Sequence, residues 1–176
     1  MRCSLISRTR QLSYTLWESI GYHDPLDHSP EEDVYVEGIY PHQPKVLCRI
    51  FYPNETDRAK VAKHNHHLDT EGLKLQNLKA ETDDGKYPLV VFVHGGGWIL
   101  PNVHDPLVAR LATINNLVVA SVEYRLAPEH QYPAAIQDCH AALQHFMRFG
   151  EEKYGINPSF IYVSFEMWFK IPCILF

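Results

Sequence analysis

Leu89-Val90-Val91-Phe92-Val93 is the segment that most restricts what this chain can fold into. Five consecutive apolar residues with no polar alternation cannot face water on either side. The run therefore predicts a strand covered on both faces, as in a parallel sheet. His94-Gly95-Gly96-Gly97-Trp98 follows it without a break. Three adjacent glycines let the backbone turn tightly and aim N–H groups into a cleft with no Cβ in the way. N–H groups so aimed can receive the negative oxygen that forms when a nucleophile attacks an ester carbonyl. The same glycines would suit a plain turn or a phosphate loop, but no Lys-Ser/Thr pair follows them, which excludes a Walker-type loop.

Strands and helices alternate around this point. Asp105 with Pro106 opens a helix whose apolar residues are Leu107, Val108, Leu111 and Ile114, and Asn115-Asn116 ends it. Residues 117–122 predict a second buried strand. A further helix begins near Pro133 and carries Ile136, Cys139, Ala142, Leu143 and Phe146 on one face; Gly150 is expected to stop it. Residues 160–163 predict a third strand. This order with short connections implies an α/β fold with a mostly parallel sheet and flanking helices. Upstream, residues 45–52 alternate loosely and close on Pro53, the pattern of a strand near a sheet edge. The expected organisation is an irregular segment over 1–43, an α/β domain over 44–164 with a charged insertion at 54–86, and a distinct apolar tail over 165–176.

Several motifs then combine. After His94-Gly95-Gly96-Gly97-Trp98 come Glu123-Tyr124-Arg125-Leu126-Ala127-Pro128-Glu129-His130, Tyr132-Pro133-Ala134-Ala135, Asp138-Cys139 and Tyr154-Gly155-Ile156-Asn157-Pro158-Ser159. Together they resemble the hormone-sensitive-lipase-like branch of the α/β-hydrolases, which includes arylacetamide deacetylases and many small carboxylesterases. The likeness is close over 87–164. It implies an N-terminal part of an α/β-hydrolase fold, with carboxylic ester hydrolysis as the activity of the intact parent and a small ester or amide as its substrate. The backbone N–H groups of Gly96 and Gly97 would line the oxyanion hole. His94 and Gly95 would support that loop, and Trp98 would line the acyl or alcohol pocket. Tyr124, Arg125 and Glu129 would belong to an internal polar network with a supporting role.

The pattern then breaks. In the family the third strand runs into a Ser-Gly-Asp-Ser-Ala-Gly elbow that presents the nucleophilic serine. Here Ser164 matches, but Phe165 and Glu166 follow, Met167 stands at the nucleophile position, and Trp168 and Phe169 replace the small residues. A thioether cannot be activated for acyl transfer. No Gly-x-Ser-x-Gly occurs elsewhere, and the family's acid and base would come later in the chain. The chain is expected to be incomplete and inactive alone; the family domain needs roughly 250–300 residues. The tail has no clear periodicity and reads as a retained intron or a shifted frame. Missing partners would leave an apolar sheet edge open to self-association, and the product marginal and aggregation-prone, unless the tail or another chain covers it. The alternatives are a non-catalytic ligand-binding protein, since the family includes a plant hormone receptor that captures ligand in the hydrolase pocket, and a regulatory fragment that pairs with a full-length relative.

Composition removes other classes. Of 176 residues, 45% are apolar and 21% charged, which excludes disordered, collagen-like and disulfide-framework chains. A net charge of −5 gives no electrostatic footprint for nucleic acid. No apolar run approaches the roughly 20 residues of a transmembrane helix. Cys3, Cys48, Cys139 and Cys173 lie far apart with no CxxC pair. Without an apolar leader they read as reduced thiols in the cytoplasm. The basic start (Arg2, Arg8, Arg10) reads as solvated chain rather than a transit peptide, and the Asn54-Glu55-Thr56 sequon matters only in a secreted chain. Cys173-Ile174-Leu175-Phe176 fits a prenylation pattern, but with only Lys170 basic nearby it reads as unmodified. His64, His66, His67 and Asp69 sit in the polar insertion with nothing to fix them as ligands, so no metal is expected, and no organic cofactor is implied. His130, His140 and His145 have ordinary surface or core readings, and Cys139 reads as buried rather than reactive.

Overall fold

The computed structural model describes residues 30–53, 85–102, 105–165 and 173–175. Its elements are β1 (Glu32–Val36), β2 (Val46–Phe51), β3 (Tyr87–Val93), α1 (Asp105–Asn115), β4 (Val118–Glu123), α2 (Ala134–Tyr154), β5 (Ile156–Phe165) and β6 (Cys173–Leu175). All six strands form one sheet in the order β1-β2-β4-β3-β5-β6. The parallel pairing expected from the buried runs holds for the three central strands, β4-β3-β5. Antiparallel strands flank them, β2 and β1 on one side and β6 on the other. This is a mixed sheet with a parallel centre and helices on both faces, as the resemblance implies.

The apolar run of β3 explains the layers. Successive strand residues point to opposite faces. Leu89, Val91 and Val93 enter the core that α2 covers through Ala135, Ala142, Phe146 and Tyr154. Val90 and Phe92 enter the core that α1 covers through Val108, Leu111 and Ala112. Asn116, with φ 53°, ends α1 as expected, and the Leu117 N–H donates to the Ala112 carbonyl. The expected cap at Asp105 and Pro106 involves side chains outside the described residues.

Four expectations are corrected. The segment 1–43 is not irregular throughout, because β1 lies within it and pairs with β2 from Glu32↔Ile50 to Val36↔Val46. Gly150 does not stop α2: it is buried inside the helix, and Gly155, at φ 62°, terminates it four residues after Glu151. Ile136 is exposed; Ala142 and Phe146 are buried as expected, and the buried face of α2 also includes Ala135, Asp138 and Ala141. The tail is not wholly without strand structure, since Cys173–Leu175 pairs with Val163–Phe165 and covers that stretch of the β5 edge. The polar insertion, with His64, His66, His67 and Asp69, falls almost entirely outside the described residues. Among the described residues no His/Cys/Asp/Glu group could hold a metal, and no helix is long and apolar enough to cross a membrane.

Candidate active site

Register places the site. Val93 pairs with Val122 on one side and with Phe165 on the other. The C-terminal ends of the three parallel strands are therefore level, the position where open α/β sheets carry their ligand sites. The loop 94–102 leaves β3 there, and residues 124–133 leave β4 beside it. Met167, at the nucleophile position by resemblance, lies outside the described residues.

The glycine turn has the backbone that the sequence anticipates. Gly96 has φ 104°, and a Cβ built on it would stand 2.8 Å from Leu100 Cβ, so only glycine fits. Gly97 has φ 63° and open space around it. The N–H groups of Ile99 and Leu100 both donate to the Gly96 carbonyl, which folds the turn back on itself. Trp98 follows at φ 65°, a strained conformation for an aromatic residue. Its carbonyl accepts from the Ala127 N–H at 2.8 Å, tying the turn to the loop after β4.

His94 and Tyr124 brace the start of the turn. The His94 ring is buried and stacks on Tyr124, with centroids 4.1 Å apart and planes 9° from parallel. The Tyr124 hydroxyl donates to the His94 carbonyl at 2.6 Å. His94 Nδ1 lies 2.8 Å from the Gly95 carbonyl. A carbonyl only accepts, so Nδ1 carries the proton. Trp98 leans on the Tyr124 ring from the exposed side, 5.3 Å between centroids.

A second cluster secures the loop after β4. Asp138 is 1% exposed and accepts from Arg125 through its backbone N–H, Nε and Nη2 at 2.8–3.1 Å. Gln43 Nε2 donates to the same carboxylate at 2.9 Å. Arg125 thus fixes the segment whose Ala127 holds Trp98. Glu129, grouped with Tyr124 and Arg125 by resemblance, is instead exposed and outside both clusters. His130 is exposed, His140 lies against the Tyr40 hydroxyl, and His145 bonds the Tyr154 hydroxyl, so none of the three joins the loop. Burial, and then the adjacent Asp138 charge, push the Cys139 thiol up to about 12, as suits an unreactive cysteine packed against the core.

Sequence reasoning missed Asn102, Gln43 and Arg49. Asn102 is buried and donates to Ser121 and Glu123, and Arg49 approaches the same Glu123 carboxylate. None of the three sits in a recognisable motif.

Residues 90–164 match the family model described as an α/β hydrolase fold. Carboxylesterase NlhH of Mycobacterium tuberculosis is 46% identical over 79 residues, which are 44% of this chain and 24% of that protein. Arylacetamide deacetylase-like 3 of Homo sapiens is 34% identical over 93 residues, 52% of this chain and 22% of that protein. Among solved structures, a bacterial heroin esterase superposes with TM-score 0.62 at 25% identity, over 91% of this chain and 42% of that chain. The chain thus spans about a quarter of the length of these curated relatives.

Proposed function

We propose that this chain belongs to the hormone-sensitive-lipase-like carboxylesterase branch of the α/β-hydrolases, and that residues 94–98 are the oxyanion loop of a carboxylic ester hydrolase, carried here without the nucleophilic serine. The observation that carries this reading is the Gly96-Gly97 turn, with both glycines at positive φ, at the level end of β4, β3 and β5. Two N–H groups presented there can bind a carboxylate or an oxyanion; in an active hydrolase, one such donor contributes about 3–4 kcal/mol to the transition state.

The longer protein of this architecture hydrolyses a short- or medium-chain ester or amide, with Ser as nucleophile, His as general base and Asp as its orienter. Trp98, Ile99 and Leu100, all largely exposed, offer apolar surface for the acyl or alcohol group. In this chain Met167 occupies the nucleophile position, so the corresponding behaviour is anion binding without acyl transfer. No metal or cofactor is called for by this chemistry.

Butyrate, the acid product of a short ester, tests the loop. Added to the ¹⁵N-labelled chain, it should shift the Gly96 and Gly97 amide resonances saturably, while p-nitrophenyl butyrate should not be hydrolysed above the buffer rate. Unmoved glycine amides would remove the oxyanion reading, and turnover would remove the inactive one.

A further inference from the structure

The glycine loop has a second anchor that no motif marks. At its start, Tyr124 holds His94. Its far end is Asn102, only 3% exposed, although Trp98, Ile99 and Leu100 just before it are 45%, 56% and 44% exposed. A polar residue that closes an exposed loop by burying itself must be fully partnered to be stable there. Asn102 Nδ2 donates to Ser121 Oγ at 3.1 Å and to Glu123 Oε1 at 2.8 Å. Ser121 and Glu123 are two apart on β4 and so face the same side, which lets one amide nitrogen reach both with its two hydrogens.

Behind Glu123 the strip continues across the sheet. Arg49 pairs with Ser121 in the β2–β4 register and with Asp33 in the β1–β2 register. Its Nε stands 3.8 Å from Glu123 Oε1 and 4.0 Å from Asp33 Oδ1. Glu123 is thus held between a cation and the Asn102 amide. An aspartate at 102 would set two carboxylates against each other.

We propose that Asn102 is a positioning residue for the oxyanion loop, fixed by Ser121 and Glu123 with Arg49 setting the carboxylate. The proposal rests on the oxyanion reading above. It acts through the backbone: anchoring both ends of 94–102 keeps the Gly96 and Gly97 N–H groups aimed into the cleft.

Amide hydrogen exchange on the whole chain tests it. Ile99, Leu100 and Ala127 amides report the loop, because each donates within it or onto it. Val91 and Val119 amides, in the sheet centre, report global stability. Asn102→Asp should speed exchange at the three loop amides by about tenfold or more and leave the strand amides unchanged. Adding Glu123→Gln to that variant should restore the loop to within about threefold of the starting rate, since the Gln amide can donate to Asp. Loop amides unaffected by Asn102→Asp, loop and strand amides accelerated together, or no restoration in the double variant would each overturn the assignment. The butyrate shifts at Gly96 and Gly97 should weaken in Asn102→Asp and return in the double variant. Absence of those shifts in the starting protein would instead strike the oxyanion reading, with the exchange pattern still deciding the anchor.

Discussion

The Tyr124 hydroxyl reaches the His94 carbonyl at 2.6 Å while its ring lies flat on the imidazole, so one side chain holds both the backbone and the ring of the residue that starts the glycine turn. Tyr124→Phe leaves that buried carbonyl without the hydroxyl, and urea denaturation should show a loss of about 1–2 kcal/mol. Asp138→Ala removes a carboxylate that accepts from Arg125 and Gln43, and should cost about 3 kcal/mol in the same measurement. An unchanged midpoint in either variant would contradict the assigned contacts. Cys139, with the fully buried Cys48 raised in the same direction, sets an alkaline limit. Its thiol is raised from 9.0 to about 12 by burial, so above pH 9 the unfolded chain loses a proton that the folded chain keeps. That stabilising difference is complete below pH 9 and disappears as pH rises toward 12, and a stability–pH profile should fall across this window. Tyr124, Arg125 and the glycines were legible from the sequence as a motif. Asn102, Asp138's partner Gln43, and Arg49 were not, because their partners lie on other elements of the fold, away from them in sequence. Gln43 and Asp138 are 95 residues apart, and no local periodicity records such a pairing.

At the scale of elements, the continuous apolar runs gave β3 and β4 without ambiguity, since only strands buried on both faces tolerate them. β1 escaped notice for the opposite reason. Glu32-Asp33-Val34-Tyr35-Val36 is an edge strand with a single fully buried residue, Val36, and edge strands need little apolar patterning. The end of α2 turned on which glycine had to be glycine. Gly155 sits at φ 62°, where a Cβ is strained, whereas Gly150 has ordinary helical geometry and a Cβ there would meet Ile156 at 3.4 Å or more. Gly155→Ala should therefore destabilise by about 1 kcal/mol. Gly150→Ala should be neutral or stabilise by up to about 1 kcal/mol, through helix propensity. Thermal unfolding of the two variants separates them, and a Gly150→Ala loss larger than that of Gly155→Ala would contradict the cap.

Over the whole molecule, the sequence pattern specified a parallel centre but not the antiparallel borders that make the sheet mixed. β2 and β1 fold back beside β4, and β6 closes part of β5, so the edge expected to stand open is paired over Val163–Phe165. What the sheet positions is the glycine turn, level with the ends of three parallel strands and braced by Tyr124, Arg125 and Asn102. We propose that this frame carries an oxyanion loop without a seryl nucleophile. Intact-mass spectrometry after incubation with an excess of a reactive fluorophosphonate tests it most directly. The native chain should keep an unshifted mass under conditions that fully label a carboxylesterase control. A stoichiometric phosphonyl adduct on any serine of the native chain, lost on prior denaturation, would contradict it.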